Sequence, residues 1–254
     1  MYPTNNISKP LLRWYRKSKR PMPWRNTKEP YKIWLSETML QQTQVKTVIP
    51  FYNSWIEKYP DFESVAGARL DSLLKSWEGL GYYNRCHNFH KAVKIIVNKY
   101  NSSLPINIKD FMVLPGVGSY TSAAVYSIVF LHPIPVVDGN VNRVMSRLLR
   151  LLRFTPYNKK RVLSTLIKWL DRSRPGDFNQ ALMELGSTVC LPKNPKCENC
   201  PLKLSCGGTL SGSPESYPSP KPKQSLPWQN VLTGVIWKRD SFLIIKRAGY
   251  KHLN

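Results

Sequence analysis

Acidic residues are scarce in this chain of 254 residues, and a long apolar run is missing. Its 15 Asp and Glu residues stand against 38 Lys and Arg residues, so the net charge is +23. The longest nearly apolar stretch, residues 123–131, is too short to cross a bilayer, and the first twenty residues contain no apolar signal core. We therefore expect a cytoplasmic protein without a membrane role. Its field attracts polyanions, of which nucleic acid is the commonest large one.

Cysteine is also rare, and five cysteines in a chain without an export signal argue against a disulfide framework. Closely spaced thiolates repel one another unless a cation shares them, so zinc and an iron–sulfur cluster are both candidates. A zinc ribbon usually carries two C-x2-C knuckles and this segment has one, so its wider gaps favour the bulkier cluster. Four unconnected thiols are the remaining alternative. The spacing C-x6-C-x2-C-x5-C is formed by Cys190, Cys197, Cys200 and Cys206.

Other polar residues near cysteines have two interpretations each. Lys193 and Lys196 lie inside the first gap of the cysteine loop, where they would either present charge to a phosphate backbone or keep the loop solvated. Cys86 stands apart and is interpreted as a small buried residue. A metal site at His87 and His90 is an alternative to the favoured interpretation, a helix surface.

Alternating strand patterns and internal repeats are scarce over residues 8–205. Apolar residues recur there at intervals of three and four, which predicts an all-α region of helices joined by short turns. Residues 208–227 are rich in Pro and Ser without periodicity, which is typical of an extended linker. The stretch "NVLTGVIWKRDSFLIIKR" then predicts two strands around a polar turn, a short β fragment that is marginal on its own.

Nucleotide-binding signatures are missing from the glycine-containing stretch "DFMVLPGVGSYTSAAV". It has no Walker lysine and no G-x-G-x-x-G, which excludes a P-loop and a dinucleotide fingerprint. The pattern predicts helix, hairpin, helix, with residues 111–114 closing the first helix and Thr121 opening the second. Gly116 and Gly118 would leave N–H groups free to bind an anion, and the repeating phosphates of DNA suit such a turn. An ordinary helix-to-helix turn is the alternative.

Two carboxyl groups, those of Glu37 and Asp138, lie in sequence surroundings that predict different protonation states. Glu37 lies four residues after Ile33 and three before Leu40, on the apolar side of a helix. Burial there would raise its pKa, so that it carries a proton near neutrality. Asp138 precedes Gly139 at a helix start, which favours its ionised form. The plainer alternatives are a surface glutamate and a simple helix cap.

Taken in order, these motifs resemble the endonuclease III superfamily of DNA glycosylases over roughly residues 10–206. "LPGVG", then "VVDGNV", then the cysteine loop carry the superfamily resemblance. "PWR", "WLSETMLQQTQV", "GLGYYNR" and "VVDGNVNRV" are similar to adenine DNA glycosylases of the MutY type. The resemblance implies a helix-hairpin-helix domain over residues 1–207 with a [4Fe-4S] cluster. Its two helical subdomains would be a six-helix part (about 25–133) and a cluster part (1–24 and 134–207), with DNA between them.

The resemblance also implies a substrate and roles for the catalytic residues. The chain would act as a monomer on double-stranded DNA and remove adenine mispaired with 8-oxoguanine or guanine. Glu37 would protonate the adenine, Asp138 would face the positive charge that develops on the sugar, and Asn140 would orient the site. Tyr120 stands where strand-nicking relatives carry a lysine, and a phenol forms no Schiff base, so base removal alone is expected. Packing at the helix start is the alternative for Tyr120.

DNA-contacting residues follow from the same resemblance. Trp24 and Arg25 would line the adenine pocket, where a flat guanidinium lies against a base. Gln42 and Tyr82 would enter the duplex beside the extruded base, one filling the gap and one stacking. A solvated helix side chain and a core aromatic are the respective alternatives.

The C-terminal stretch departs from the family pattern. Residues 228–254 resemble only the opening strands of a Nudix-like domain that reads 8-oxoguanine, so weak selectivity for that lesion is expected. Two other functions stay open. One is a thymine glycosylase for T:G mispairs, which shares the cluster, the hairpin and a tyrosine near this place. The other is a DNA-binding protein that holds lesions without catalysis.

Overall fold

The computed structural model of the protein describes residues 6–219, 228, 230 and 234–243. The regular structure of these residues is almost entirely helical, with one short hairpin near the C-terminal end, so the expected fold class is confirmed. The helices are α1 Ser8–Ser18, α2 Pro30–Met39, α3 Val45–Lys58, α4 Phe62–Gly67, α5 Leu70–Ser76, α6 Asn84–Tyr100, α7 Ile108–Met112, α8 Ser119–Val129, α9 Gly139–Leu149, α10 Pro156–Trp169, α11 Pro175–Thr188 and α12 Gly207–Leu210. Single 3₁₀ turns cover Pro23–Asn26, Cys197–Asn199, Lys203–Ser205 and Pro214–Ser216.

Local sequence signals set many of these boundaries. Proline occupies the first turn of α2, α10 and α11, where its missing N–H costs no helical hydrogen bond. The side chains of Asp138 and Thr155 accept hydrogen bonds from the first turns of α9 and α10. At the other end, α6 and α9 stop at left-handed residues, Asn101 and Arg150. The helix-hairpin-helix is formed by α7 and α8, and α8 starts at Ser119, two residues earlier than predicted.

One hydrophobic core is built from residues 22–126 and contains most of the large aromatic side chains. Trp34, on α2, packs edge to face against Phe89 and Phe111, with ring centroids 4.9 and 5.0 Å apart. Trp55 and Trp77 meet at 5.4 Å in the same cluster. Helix α2, which carries Glu37, is therefore held in place by packing within this core.

A second core joins the N-terminal helix to the C-terminal half of the chain. Leu11 and Tyr15 of α1 pack with apolar residues of α9, α10 and α11 and with the cysteine loop. Because α1 belongs to this core, the core is built from two stretches that are far apart in sequence. A small cluster of Ala123, Ala124 and Val136 lies between the two large ones.

Residues 207–219 form helical turns that pack on the body of the protein, although the sequence assigns residues from 208 onward to a linker. Arg147 Nε donates to the carbonyl of Tyr217 at 3.2 Å, and the amide of Ser219 donates to Leu152 O at 2.9 Å. These contacts anchor the first part of the Pro/Ser-rich segment. The rest of the predicted linker, residues 220–227, lies outside the described residues.

The chain divides into two compact units, Met1–Pro220 and Lys221–Asn254. In the described part of the second unit, β1 Trp237–Lys238 and β2 Ser241–Phe242 pair antiparallel, with Trp237 opposite Phe242. All four strand residues are exposed. Over the described ranges, no helix has the length and apolar character needed to span a membrane.

Candidate active site

A pocket of about 1050 Å³ opens between the two cores of the first unit. Its walls come from α2, the helix-hairpin-helix, the start of α9 and the buried side of α11. Most of the candidate residues meet in this pocket, and Tyr82, the two loop lysines and the four clustered cysteines are not among its lining residues. The candidates that line it are Trp24, Arg25, Glu37, Gln42, Gly116, Gly118, Tyr120, Asp138 and Asn140.

Glu37 is buried at the back of this pocket, with only 6% of its surface exposed. Helix α2 is buried along most of its length, so the side facing the pocket is also desolvated. Burial raises the pKa of Glu37 from 4.5 to about 7, and the negative charge of Asp138 adds to the rise. The hydrogen bond from Tyr120 and the charge of Arg25 act in the opposite direction. The glutamate is therefore poised to exchange a proton near neutral pH, and the surface alternative is wrong.

Tyr120 lies beside Glu37 in the first turn of α8. Its hydroxyl donates to Glu37 Oε2 at 3.1 Å and lies 3.4 Å from Met183 Sδ. Burial, together with the nearby charges of Glu37 and Asp138, raises the pKa of Tyr120 well above its ordinary value. The phenol is thus a neutral hydrogen-bond donor that orients the glutamate.

Asp138 is the N-cap of α9 and also lines the pocket. Its Oδ1 accepts from the backbone amide of Val141 at 2.6 Å and its Oδ2 from Asn140 Nδ2 at 3.2 Å. Burial raises the pKa of Asp138, while these hydrogen bonds and the charge of Arg143 lower it again and offset part of the rise. The N-cap hydrogen bonds therefore keep the pKa of Asp138 lower than burial alone would make it, which favours the ionised form.

A second layer of contacts holds Asp138 and Asn140 in place. Arg143 Nη2 donates to Asn140 Oδ1 at 2.8 Å and to Gly186 O at 2.7 Å, while its Nε donates to Cys190 O at 2.8 Å. Gly186, on α11, approaches Asn140 so closely that a Cβ there would lie 2.6 Å from Asn140 Cβ. The start of α9 is thus packed directly against α11.

Arg25 and Trp24 line the pocket, but neither side chain is free. Arg25 Nη2 donates to Glu184 Oε2 at 2.8 Å, and Arg20 Nε donates to Glu184 Oε1 at 2.7 Å. Burial alone would raise the pKa of Glu184, yet the hydrogen bonds from both arginines hold it below its ordinary value. Trp24 packs edge to face against Tyr52 at 5.1 Å and forms part of the core wall. The pocket therefore ends in a charged hydrogen-bonding group beside an indole.

The glycine hairpin lies at the edge of the pocket, which Gly116 and Gly118 help to line. Gly116 has φ +76°, and a Cβ there would lie 2.8 Å from Asn88 Cβ, so both conformation and space require glycine. Gly118 is the N-cap of α8, and no side chain caps this helix. The start of α8 is therefore available to a ligand on the rim.

Gln42 and Tyr82 are exposed residues on two separate segments of the first core. Both have left-handed backbone, with φ of 57° and 49°. Tyr82 is 58% exposed, so the alternative of a core aromatic is wrong. Gln42 follows the end of α2, so it does not lie on a helix as its alternative required.

The four clustered cysteines lie in one loop that is held against α9. Burial raises the pKa of Cys200 to about 12, and charge on Cys190, Cys206 and Cys197 contributes to the rise. All four sulfurs therefore share one electrostatic neighbourhood. Arg147 Nη1 donates to Cys190 Sγ at 3.2 Å. In the part of the chain that the structure describes, no group of three or more His, Cys, Asp or Glu side chains could hold a metal ion as placed.

Lys193 and Lys196 are exposed on this loop, away from the pocket. Cys86 is fully buried, as expected, and burial raises the pKa of its thiol to about 12. His90 is only 6% exposed, so the expectation of a helix surface is wrong for this residue, because α6 packs closely against α4. Burial and the charge of Lys94 lower the pKa of His90.

Comparison with known proteins agrees with this arrangement. Residues 35–171 match the family described as HhH-GPD superfamily base excision DNA repair protein. The chain is 34% identical over 250 residues to the adenine DNA glycosylase of Buchnera aphidicola subsp. Schizaphis graminum, covering 96% of this chain and 72% of that protein. The chain belongs to the adenine DNA glycosylases of the HhH-GPD superfamily. The resemblance found in the sequence motifs is thereby confirmed.

Further relatives of this HhH-GPD chain are longer proteins. The human adenine DNA glycosylase is 39% identical over 230 residues, which cover 81% of this chain and 42% of the human one. The chain thus spans between 42% and 72% of the length of these two relatives. Among solved structures, a thermostable thymine-DNA glycosylase superposes with a TM-score of 0.73 at 29% identity, covering 81% of this chain and 95% of that one. An endonuclease III–DNA complex superposes with a TM-score of 0.67 at 23% identity, covering 82% and 95%.

Three charged residues of this HhH-GPD site were not among the sequence candidates. Glu184 lines the pocket from α11, Arg143 on α9 holds Asn140 from behind, and Arg85 lies beneath the segments that carry Gln42 and Tyr82. Arg85 and Arg143 each sit in a polar stretch that looks like a solvated helix face. For Glu184 alone a signal exists, since its helix places Phe178, Ala181, Leu182 and Leu185 around it at core spacing.

Proposed function

We propose that the protein is a monofunctional DNA glycosylase that hydrolyses the N-glycosidic bond of adenine mispaired with 8-oxoguanine or guanine. The single observation that carries the proposal is the pairing of Glu37 and Asp138 in one pocket. One carboxyl has its pKa raised to about 7 by burial, and the other is held by helix-cap hydrogen bonds. Two carboxyls with different environments are what glycosidic cleavage requires.

Glu37 supplies the proton. An adenine in the pocket leaves as a neutral base only if a ring nitrogen is protonated as the C–N bond breaks, because the electron pair of that bond passes to the base. The Tyr120 hydroxyl fixes the carboxyl from one side at 3.1 Å. The opposite face of the pocket remains open to the base.

Asp138 stabilises the sugar. Loss of the base leaves positive charge on C1′ and the ring oxygen, and an ionised carboxylate nearby lowers the energy of this oxocarbenium-like state. Water then adds to C1′ and releases a proton to a pocket carboxylate. The products are free adenine and an abasic sugar, with the DNA backbone uncut.

Tyr120 explains why the reaction stops there. A lysine at this position would attack C1′ and hold the sugar as a Schiff base, which leads to strand cleavage. A phenol forms no imine, and burial keeps this one protonated, since its pKa is raised well above its ordinary value. We therefore assign base removal without a lyase step.

Double-stranded DNA is the partner that the surface suits, with the chain acting as a monomer. The chain carries a net charge of +23, and the hairpin at Gly116 and Gly118 borders the pocket. Gln42 and Tyr82 are exposed side chains of the size needed to fill the space that an extruded base leaves behind. Trp24 and Arg25 line the pocket, and the Arg25 guanidinium, which Glu184 holds at 2.8 Å, would lie flat against an adenine there.

The cysteine loop carries the four thiols that a [4Fe-4S] cluster needs. Cys190, Cys197, Cys200 and Cys206 would hold it. Burial raises the pKa of the Cys200 thiol to about 12 and charge on the other three adds to the rise, so a shared iron centre would stabilise the thiolate forms. When bound, the cluster supplies charge neutralisation and a fixed loop geometry. Lys193 and Lys196 would then face a phosphate backbone from a rigid support.

Alkali cleavage of labelled duplexes tests the proposed function. Duplexes with A:8-oxoguanine, A:G or T:G are incubated with the protein, and abasic sites are then cut with alkali. We expect cleavage at adenine in the first two and none at T:G, with no nicking before alkali. Glu37→Gln and Asp138→Asn should each lose excision, whereas Glu57→Gln, an exposed glutamate on α3, serves as the matched control. Cleavage at T:G alone would assign the protein as a thymine glycosylase, and full activity of both carboxyl variants would refute the mechanism.

A further inference from the structure

Two exposed side chains, Gln42 and Tyr82, stand on segments that are forty residues apart in sequence. Both adopt left-handed backbone, a conformation that a residue other than glycine keeps only when its surroundings impose it. One buried arginine, Arg85, lies beneath both segments and contacts each of them.

Arg85 reaches the first segment through Nη1. This nitrogen lies 2.6 Å from both Met39 O and Gln41 O, and 3.2 Å from Thr38 O. These carbonyls are the C-terminal end of α2 and the residue before Gln42, so a cation here also meets the negative end of the helix dipole.

The same guanidinium reaches the second segment through Nη2. It lies 3.1 Å from Gly81 O and 3.3 Å from Leu80 O, and 3.1 Å from Thr43 Oγ1. The guanidinium carbon is 5.3 Å from the centre of the Tyr82 ring. One planar group thus contacts the residues on either side of Gln42 and the two residues before Tyr82.

The charge of Arg85 is compensated by these dipoles. The residue is 9% exposed, and burial lowers its pKa. Across the described residues, none of the ion pairs includes Arg85. Six oxygens shared by two nitrogens of one rigid fork define a geometry that a lysine, with a single nitrogen, does not reproduce.

We propose that Arg85 is a positioning residue that joins the Gln42 and Tyr82 segments into one unit for opening the duplex. The proposal rests on the proposed function, because it assigns to both side chains a task in base extrusion. Arg85 touches no substrate, and it acts by fixing where the two exposed side chains stand relative to Glu37, which lies in the last turn of α2.

Base extrusion is measured separately from excision. A duplex with fluorescent 2-aminopurine in place of the target adenine, opposite guanine, is bound by protein carrying Glu37→Gln, and the fluorescence rise on unstacking is recorded. Adding Arg85→Met should abolish most of the rise, and Arg85→Lys should recover little of it. Val65→Ala, a fully buried position of the same core on α4, controls for loss of stability and should keep the full rise.

Epistasis distinguishes positioning from general destabilisation. In single-turnover excision of adenine opposite guanine, Arg85→Met should slow the otherwise unaltered protein about 100-fold, the scale of a misplaced contact. In a protein that already carries Gln42→Ala and Tyr82→Ala, the same change should cost less than about threefold.

Three results would overturn the proposal. They are an unchanged fluorescence rise in Arg85→Met, additive losses in the triple variant, and full recovery by Arg85→Lys. The proposed function is tested separately, because alkali cleavage by the unaltered protein depends on excision and the fluorescence rise does not. If the Glu37→Gln protein itself gave no rise, there would be no extrusion for Arg85 to support, and the proposal would fail.

Discussion

Replacing Glu37 with glutamine should make the protein more stable at high pH while abolishing its activity. The glutamate is buried, and burial raises its pKa to about 7 from an ordinary value of 4.5. Above pH 7 the folded protein must therefore keep a charged carboxylate in a desolvated site. Glutamine fills the same space and stays neutral at every pH.

The sign and size of the effect follow from the two pKa values. Because the folded state holds the proton more tightly than the unfolded chain, the unaltered protein loses stability as pH rises from about 4.5 to about 7. Each unit of difference is worth about 1.4 kcal/mol. Between pH 5 and pH 8 the free energy of unfolding of Glu37→Gln should therefore rise relative to the unaltered protein by roughly 2 to 3 kcal/mol.

Urea unfolding at pH 5 and pH 8, followed by circular dichroism, measures this difference. Comparing the two proteins at each pH cancels the groups that titrate independently of Glu37. Glu57→Gln, on the surface of α3, should show no change in the difference between the two pH values. If the stability difference between Glu37→Gln and the unaltered protein is the same at both pH values, the pKa of Glu37 is not raised. The residue then cannot be the proton donor at neutral pH.

Three further changes test neighbouring contacts. Tyr120→Phe removes a hydrogen bond that lowers the pKa of Glu37, so the alkaline limb of the single-turnover rate profile should move to higher pH; an unmoved limb would contradict this. Gly186→Ala places a Cβ 2.6 Å from Asn140 Cβ and should slow excision about 100-fold in a rapid-quench assay, and a normal rate would show that α11 yields easily. Glu184→Gln leaves two arginines without their carboxylate and should cost about 3 kcal/mol in thermal unfolding at pH 7, and the loss should shrink as the pH falls through the pKa of Glu184, which the arginines hold below its ordinary value.

Local pattern was sufficient for the two central carboxylates. Glu37 occupies an apolar position of α2, and the periodicity of Ile33 and Leu40 around it predicted its burial. Asp138 stands before a glycine at the start of an amphipathic helix, and the structure shows it accepting from Val141 as an N-cap. In both cases, the residues that predicted the environment of the carboxyl lie within four residues of it along the chain.

Long-range partners were beyond the reach of such patterns. The contact of Arg20 with Glu184 joins residues that are 164 positions apart, and that of Arg85 with Gln41 joins residues 44 apart. The sequence around a charged residue does not show whether that residue is exposed to water or is buried against a distant hydrogen-bonding partner. His90 shows the same limit, because its burial depends on how α6 packs against α4.

Glu37 and Asp138 are carried by different hydrophobic cores, one on α2 and the other at the start of α9. The distance between the two carboxyl groups is therefore set where the two cores meet, and neither core fixes it alone. A substitution that loosens the small cluster of Ala123, Ala124 and Val136 should leave both cores folded while Glu37 and Asp138 shift relative to each other. Such a protein should lose activity before its helices unfold, and a bound DNA duplex that contacts both cores would hold the two cores together.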